Sequence, residues 1–303
     1  MPIKIPATLP AREILEGERV PLILEERALH QDIRPLRIAL LNLMPNKIPT
    51  ETQFMRVLGA TPLQIEMTLL RTATYESKNT SAEHLTTFYK TWEDVKNERF
   101  DALIVTGAPV EHLEYDDVNY WPELRAIFDW ADTNVYSTFF VCWGAQAALY
   151  HHHGVRKHKT PAKKFGVFPH RILKPFHPLI AGFDDDFPVP VARNTEVRHE
   201  DVAHLTNLDI LAESDETGLC LAFDEAKRRV YMFNHLEYDA DTLSFEYFRD
   251  KASGFGDTFP QNYFPDDDDT KAPRITWRAH RTLFFANWIN MVYQGTPYNL
   301  DEL

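Results

Sequence analysis

The residues best suited to do chemistry surround Cys142. The run 136–149, YSTFFVCWGAQAAL, opens with aromatic and β-branched residues that suit a buried strand. It closes with Ala and Leu, which suit a helix. A cysteine at such a strand-to-helix turn has its thiol pushed out of the sheet, over the first N–H groups of the helix. This is the geometry of a nucleophile elbow, with sulfur in place of a hydroxyl. A helix N-terminus also favours the thiolate, the reactive form. The alternative is a buried structural cysteine, because free Cys is among the most buried residue types. The run alone leaves both readings open.

A thiol nucleophile needs a base to take its proton and return one later. The chain has 13 histidines, so position must single one out. The apolar run 230–233 delivers Asn234-His235-Leu236-Glu237 at its C-terminal end. Two residues apart in extended chain, His235 and Glu237 point to one side. A carboxylate there fixes the imidazole tautomer and stabilises the imidazolium. Cys142, His235 and Glu237 form a candidate triad, against the plain alternative of a surface His beside a surface Glu. Acyl chemistry also requires donors for a developing oxyanion. The backbone N–H of Trp143 is one candidate and the Gly107-Ala108 turn offers a second, unless that glycine marks an ordinary turn. His151-His152-His153 makes a poor metal site, since consecutive residues on a helix diverge. A polar helix C-terminus accounts for it, and no metal is expected.

These groups need elements to hold them. Dense apolar runs at 37–44, 63–70, 100–106 and 136–141 alternate with helical patterns, the first capped by Thr50 and stopped by Gly59, another at 121–130. That rhythm indicates a parallel sheet covered on both faces, with ligands at the strand C-terminal ends. The second half reads as a strand at 166–173, Pro-rich connections through Pro175, Pro178, Pro188 and Pro190, and short strands at 208–212, 218–223 and 229–233. Helices follow at 239–252 and 276–293, and 266–269 reads as a solvated acidic loop. A single α/β domain over 1–303 is expected, with residues 1–32 as an arm packed on it.

The totals narrow the function. A net charge of −13 argues against nucleic-acid binding, though a local cluster can still bind an anionic ligand. Two cysteines make no disulfide framework. No apolar run approaches membrane-spanning length, and MPIKIPATLP lacks the apolar core of a signal peptide. A cytoplasmic protein is expected, in a reducing setting that suits a working thiol.

Six segments carry a resemblance that covers nearly the whole chain: LNLMPNK (41–47), EHLTTFYKTW (83–92), TGAPVE (106–111), CWGAQAALYHHHGV (142–155), KKFGVF (163–168) and EYFRD (246–250). Together with His-x-Glu they resemble the homoserine O-acyltransferase (homoserine transacylase) family of methionine biosynthesis. That family is in turn similar in fold to class I glutamine amidotransferases: a flavodoxin-like, mostly parallel α/β sheet with helices on both faces and a cysteine elbow.

The resemblance implies ping-pong transfer from an acyl-CoA to L-homoserine through acyl-Cys142, with His235 as base and Glu237 orienting it. It needs no cofactor besides the acyl-CoA substrate, and it implies a possible homodimer. Arg249 matches the position that holds the acceptor carboxylate, and Glu246 can meet its ammonium. Lys163 matches another substrate contact, and Lys47 can meet CoA phosphates or substrate. Glutamate at the position of Glu111 goes with acetyl donors and glycine with succinyl, so acetyl-CoA is expected over succinyl-CoA. Ala192 departs from the family's serine and lacks its hydroxyl, which loosens the expectation for the acceptor. Two competing readings are a glutamine amidotransferase-type hydrolase, which shares the Cys-x-Gly-x-Gln and His-x-Glu pattern, and a non-enzymatic member of the same fold.

Overall fold

The computed structural model describes residues 34–74, 79–254, 256 and 258–303, together with the backbone of two short parallel strands, β1 (Ile3–Ile5) and β2 (Leu22–Leu24). The packing of the N-terminal arm expected at 1–32 otherwise lies outside the described residues.

Five elements follow in alternation: β3 (Leu36–Leu41), α1 (Lys47–Leu58), β4 (Ile65–Arg71), α2 (Ala82–Phe88) and β5 (Tyr89–Thr91). Next come α3 (Trp92–Val95), β6 (Phe100–Val105), α4 (Trp121–Asn134), β7 (Val135–Val141) and α5 (Trp143–His153). The second half contributes β8 (His158–Ile172), β9 (Asp186–Glu196), α6 (His199–Val202), β10 (Leu208–Ser214), β11 (Gly218–Asp224), β12 (Arg229–Met232), α7 (Thr242–Ser253) and α8 (Arg278–Gly295). The α1 cap is Asn46 rather than Thr50, which lies inside the helix, while Gly59 ends it as expected.

One ten-stranded sheet runs in the order β5-β4-β3-β6-β7-β12-β11-β10-β8-β9. Neighbours from β5 through β12 pair in parallel, and the rest pair antiparallel. With the three-residue β5 set aside, the parallel strands follow the flavodoxin-like order 2-1-3-4-5. The strand order reverses between β3 and β6, which places the expected ligand crevice at their C-terminal ends.

Alternation along the buried strands feeds two cores. Leu40, Ile104 and Phe139 pack with Phe54 of α1 and with Phe284, Phe285 and Trp288 of α8. Leu41, Leu103 and Phe140 face the other way, onto Leu124 and Phe128 of α4 and Leu149 of α5. Both faces are therefore covered, and the strands read as near-continuous apolar runs for that reason.

The antiparallel flank corrects the sequence reading in two places. Pro188 and Pro190 lie within β9, opposite Pro169 and Val167 of β8, rather than in a connection. β9 is the last strand of the sheet, where a missing N–H disrupts no ladder on the open side. Strand β8 also starts at His158, well before the expected 166, through a stretch of lysines that alternation alone does not mark as sheet.

Candidate active site

Three adjacent strands deliver the three parts of the site. β6 ends in Thr106-Gly107-Ala108, β7 in Cys142, and β12 in Phe233-Asn234-His235. Their neighbour relations in the sheet bring these ends side by side.

Cys142 has φ 51° and ψ −118° and forms the N-cap of α5. A non-glycine residue in that region is strained by about 1–3 kcal/mol and persists only when its surroundings over-determine it. Here they do. The Cys142 N–H donates to Met232 O at 2.7 Å, and the Cys142 carbonyl accepts from Ala145 and Gln146 N–H at 3.0 and 3.2 Å. Gly144 lets the helix start press against β6: a Cβ there would fall 2.7 Å from Thr106 O and 3.0 Å from Val105 O. Gly107 sits beside the nucleophile, its hypothetical Cβ 3.3 Å from Cys142 Cβ and 3.8 Å from Sγ. Trp143 is the first residue of α5, so its backbone N–H belongs to the helix end that lacks intrahelical acceptors.

His235 Nδ1 and Glu237 Oε1 are 2.7 Å apart, and both side chains are buried. The imidazole lies close enough to the Cys142 sulfur to feel its charge. Burial opposes the charged imidazolium, yet the Glu237 carboxylate and the Cys142 sulfur more than offset it. The proton affinity of His235 consequently stands well above its usual value. The His235 backbone N–H donates to Pro190 O at 2.9 Å, tying the loop to β9. The sequence pairing of cysteine, histidine and glutamate is thus one contiguous group in the structure.

The acceptor-side candidates cluster next to it. On α7, Glu246 accepts from the Tyr238 hydroxyl at 2.7 Å, and Tyr238 stacks on His235. Arg249 binds Asp250 Oδ1 through Nη2 at 2.7 Å, and Lys163 Nζ binds Asp250 Oδ2 at 2.9 Å. Asp250 therefore draws two separately predicted cations together. Burial disfavours its charge, but these two partners outweigh that and hold its carboxyl below the usual range. Lys163 also lies over the Phe165 ring, 3.9 Å from its centroid. Ala192 is half-buried on β9, opposite Phe165.

Two predicted residues are engaged differently than their types suggest. Glu111, on the loop after β6, receives four hydrogen bonds from β9: Asn194 N–H at 2.8 Å, Asn194 Nδ2 at 3.0 Å, and Thr195 N–H and Oγ1 at 3.1 Å each. Lys47 is buried, with its ammonium on the carbonyls of Asn42 and Met44 at 2.6 and 3.2 Å. Burial pushes its pKa down to about 8. Of the three consecutive histidines, His151 pairs with Asp129 at 2.7 Å while His152 lies against Phe128 and Phe140.

Several residues around the site escaped the sequence reading. Gln146 Nε2 donates to Thr195 O at 3.2 Å, and the single hydroxyl proton of Thr195 is shared between Glu111 and Gln146 Oε1, the latter 2.8 Å away. This links the elbow helix to the Glu111 clamp. Arg193 is fully buried and donates to Asn234 Oδ1 at 2.8 Å, to Phe233 O at 3.3 Å and to Thr217 O. Asn234 in turn donates to His170 Nε2 at 2.8 Å. The period-two set Val189, Val191, Arg193 and Thr195, all buried, is the signal that could have found Arg193 and Thr195.

The sequence as a whole matches the family model described as homoserine O-succinyltransferase over residues 2–298. The chain belongs to that family. Relatives of this acyltransferase family include a protein named homoserine O-acetyltransferase from Acetivibrio thermocellus, 56% identical over 100% of both chains. Another of the same name, from Rhizobium rhizogenes, is 55% identical over 100% of this chain and 98% of its own length. Among solved structures, a glutamine amidotransferase from Thermotoga maritima superposes with a TM-score of 0.55 at 9% identity, covering 86% of this chain and 97% of that one. The family's chain thus has the glutamine amidotransferase-like fold, and at that identity the likeness concerns fold alone.

Proposed function

We propose that the protein transfers an acetyl group from acetyl-CoA to the hydroxyl of L-homoserine, in two half-reactions through acyl-Cys142. The reading is carried by one observation: a strained elbow cysteine beside a buried, hydrogen-bonded His235–Glu237 pair, in a chain similar end to end to proteins named homoserine O-acetyltransferase.

In the first half-reaction the Cys142 sulfur attacks the thioester carbonyl. The N–H groups of Trp143 and of Gly107 or Ala108 receive the oxyanion. The carbon–sulfur bond to CoA then breaks, and His235 returns a proton to the departing thiolate. In the second, His235 takes the proton of the homoserine hydroxyl as that oxygen attacks the acyl carbon, and Cys142 sulfur leaves. Glu237 holds the imidazole and offsets its positive charge in both. Arg249 suits the acceptor carboxylate and Glu246 its ammonium, with Lys163 beside them. Ala192 offers no hydroxyl to either substrate. Lys47, buried behind Asn42 and Met44, acts on substrate only if its carbonyl partners yield. The product would feed methionine biosynthesis in the cytoplasm.

Glu111 supports acetyl over succinyl. It stands on the loop that follows β6, and if that loop borders the acyl group its bulk and charge would oppose the second carboxylate of a succinyl group. Mass spectrometry after mixing with either acyl-CoA tests both parts. An acetyl-sized mass gain is expected, absent in Cys142→Ala and discharged by homoserine but not by glutamine. Glu111→Gly is expected to move the preference toward succinyl-CoA. A native preference for succinyl-CoA refutes the donor assignment, and discharge of glutamine-derived acyl groups without any acyl-CoA favours the hydrolase reading instead.

A further inference from the structure

We infer that Tyr238 is a positioning residue that joins the base to the acceptor side of the site: its ring carries the face of His235 and its hydroxyl holds Glu246. The inference rests on the reading of Glu246 as the partner of the acceptor's ammonium.

The geometry is specific. The Tyr238 and His235 rings lie parallel within 16°, with centroids 4.1 Å apart. Glu237 fixes one edge of the imidazole through Nδ1. An edge contact alone leaves rotation about that bond open, and a flat ring against the face closes it. A phenol face also favours the imidazolium over the neutral ring. At its other end the Tyr238 hydroxyl donates to Glu246 Oε1 at 2.7 Å. The residue is itself pinned from behind, since its carbonyl accepts from Trp277 Nε1 at 2.9 Å and Arg281 Nη1 at 3.0 Å.

A tyrosine that only filled space would not need its hydroxyl, and a buried hydroxyl costs stability unless it is bonded. Here the partner is a half-buried carboxylate at the acceptor side. A carboxylate has about four lone-pair sites, so one bond from Tyr238 orients Glu246 and leaves capacity for an ammonium. Burial, and then the nearby Glu246, Glu237 and Cys142, raise the phenol's pKa well above its usual value. Tyr238 therefore stays a donor wherever Glu246 is charged.

The test separates the two ends of the residue. Tyr238→Phe keeps the stack and removes the bond to Glu246. The acceptor KM is expected to rise about ten-fold, the worth of one hydrogen bond to a charged group, while the rate of thioester formation from acetyl-CoA changes less than two-fold. Tyr238→Leu removes the stack as well, and is expected to slow thioester formation and lower the apparent pKa of its pH profile. Glu246→Gln should raise the acceptor KM, and adding Tyr238→Phe to it should cost little more. If Glu246→Gln raises that KM and Tyr238→Phe, still folded by its melting curve, does not, the inference is wrong while the acceptor reading stands. If Glu246→Gln leaves the KM unchanged, the acceptor reading fails and takes the inference with it. Should Tyr238→Leu not fold, the KM and half-reaction rates of Tyr238→Phe still decide.

Discussion

At the centre of the sheet, β6, β7 and β12 end in Gly107, Cys142 and the segment leading to His235, and all of these are buried. On the antiparallel flank and α7, the corresponding groups are Lys163, Glu246, Arg249 and Asp250, which are half-buried or exposed. The centre is fixed by backbone: a positive φ, main-chain hydrogen bonds between neighbouring strands and a glycine in contact with β6. The flank is fixed by side chains, chiefly the Lys163–Asp250–Arg249 ion pairs. Backbone-held groups have little room to be misplaced, whereas ion pairs in contact with solvent contribute little, about 0–1 kcal/mol each when exposed, and yield more readily. The proposed function puts bond-making on the stiff part and acceptor choice on the adjustable part. Substitutions at the centre should consequently abolish turnover or folding, and those on the flank should retune affinity.

The largest effect expected is that of Glu237→Gln. A base that loses its orienting carboxylate forfeits part of a general-base contribution of about 10²–10⁴-fold, so kcat should fall on the order of 10²-fold. The same variant has a signature in stability. The folded-state pKa of His235 is raised, with Glu237 the foremost cause raising it. The associated stabilisation is fully present below the unfolded pKa of about 6.5 and is lost as pH rises through the folded value. The deficit of Glu237→Gln against the wild type should therefore be greatest near pH 6 and shrink toward pH 9 in denaturant titrations. An equal deficit at both ends would show that Glu237 does not govern the charge of His235.

Next in size is Gly144→Ala. The new methyl would meet two main-chain oxygens of β6 and its following residue at 2.7 and 3.0 Å, and neither can rotate away. Overpacking of this kind costs about 1–3 kcal/mol, and relief would tilt α5 and move the Cys142 N-cap. Both the melting temperature and the rate of Cys142 alkylation should drop together. A stable variant with unaltered alkylation would mean that the elbow does not depend on close contact between α5 and β6.

The centre was also the legible part. The elbow shows in sequence because strand and helix signals abut within 14 residues, and His235-x-Glu237 shows because it ends an apolar run. The runs of β3, β6 and β7 announce themselves because burial on both faces removes polar residues. The flank hides because its order comes from distant pairings. Pro188 and Pro190 argue against a strand until β9 is known to be an edge. Arg193 resembles a surface cation until Phe233, Asn234 and Thr217 are seen to surround it. Glu111 finds its four donors 83 or 84 residues away, a separation at which local patterns carry no information. Tyr238 lies only three residues from His235, yet three residues is a helical neighbour spacing, and nothing in that loop marks the turn that stacks the rings.

The smallest effect expected tests the flank directly. Asp250 bonds Lys163 and Arg249 at once, and its carboxyl sits below the usual range because both cations face it. If it serves to hold the two at a common spacing, Asp250→Asn should free them to splay. The acceptor KM would then rise only a few-fold, in line with ion pairs at the solvent boundary worth about 1 kcal/mol each, with thioester formation untouched. Competition runs the other way: two released cations carry more charge to offer an anionic acceptor, and that gain is screened by salt. A rise in KM that persists at high salt points to lost positioning. A fall in KM that vanishes at high salt would show instead that Asp250 restrains the cations, and that the flank is set for selectivity rather than for tightest binding.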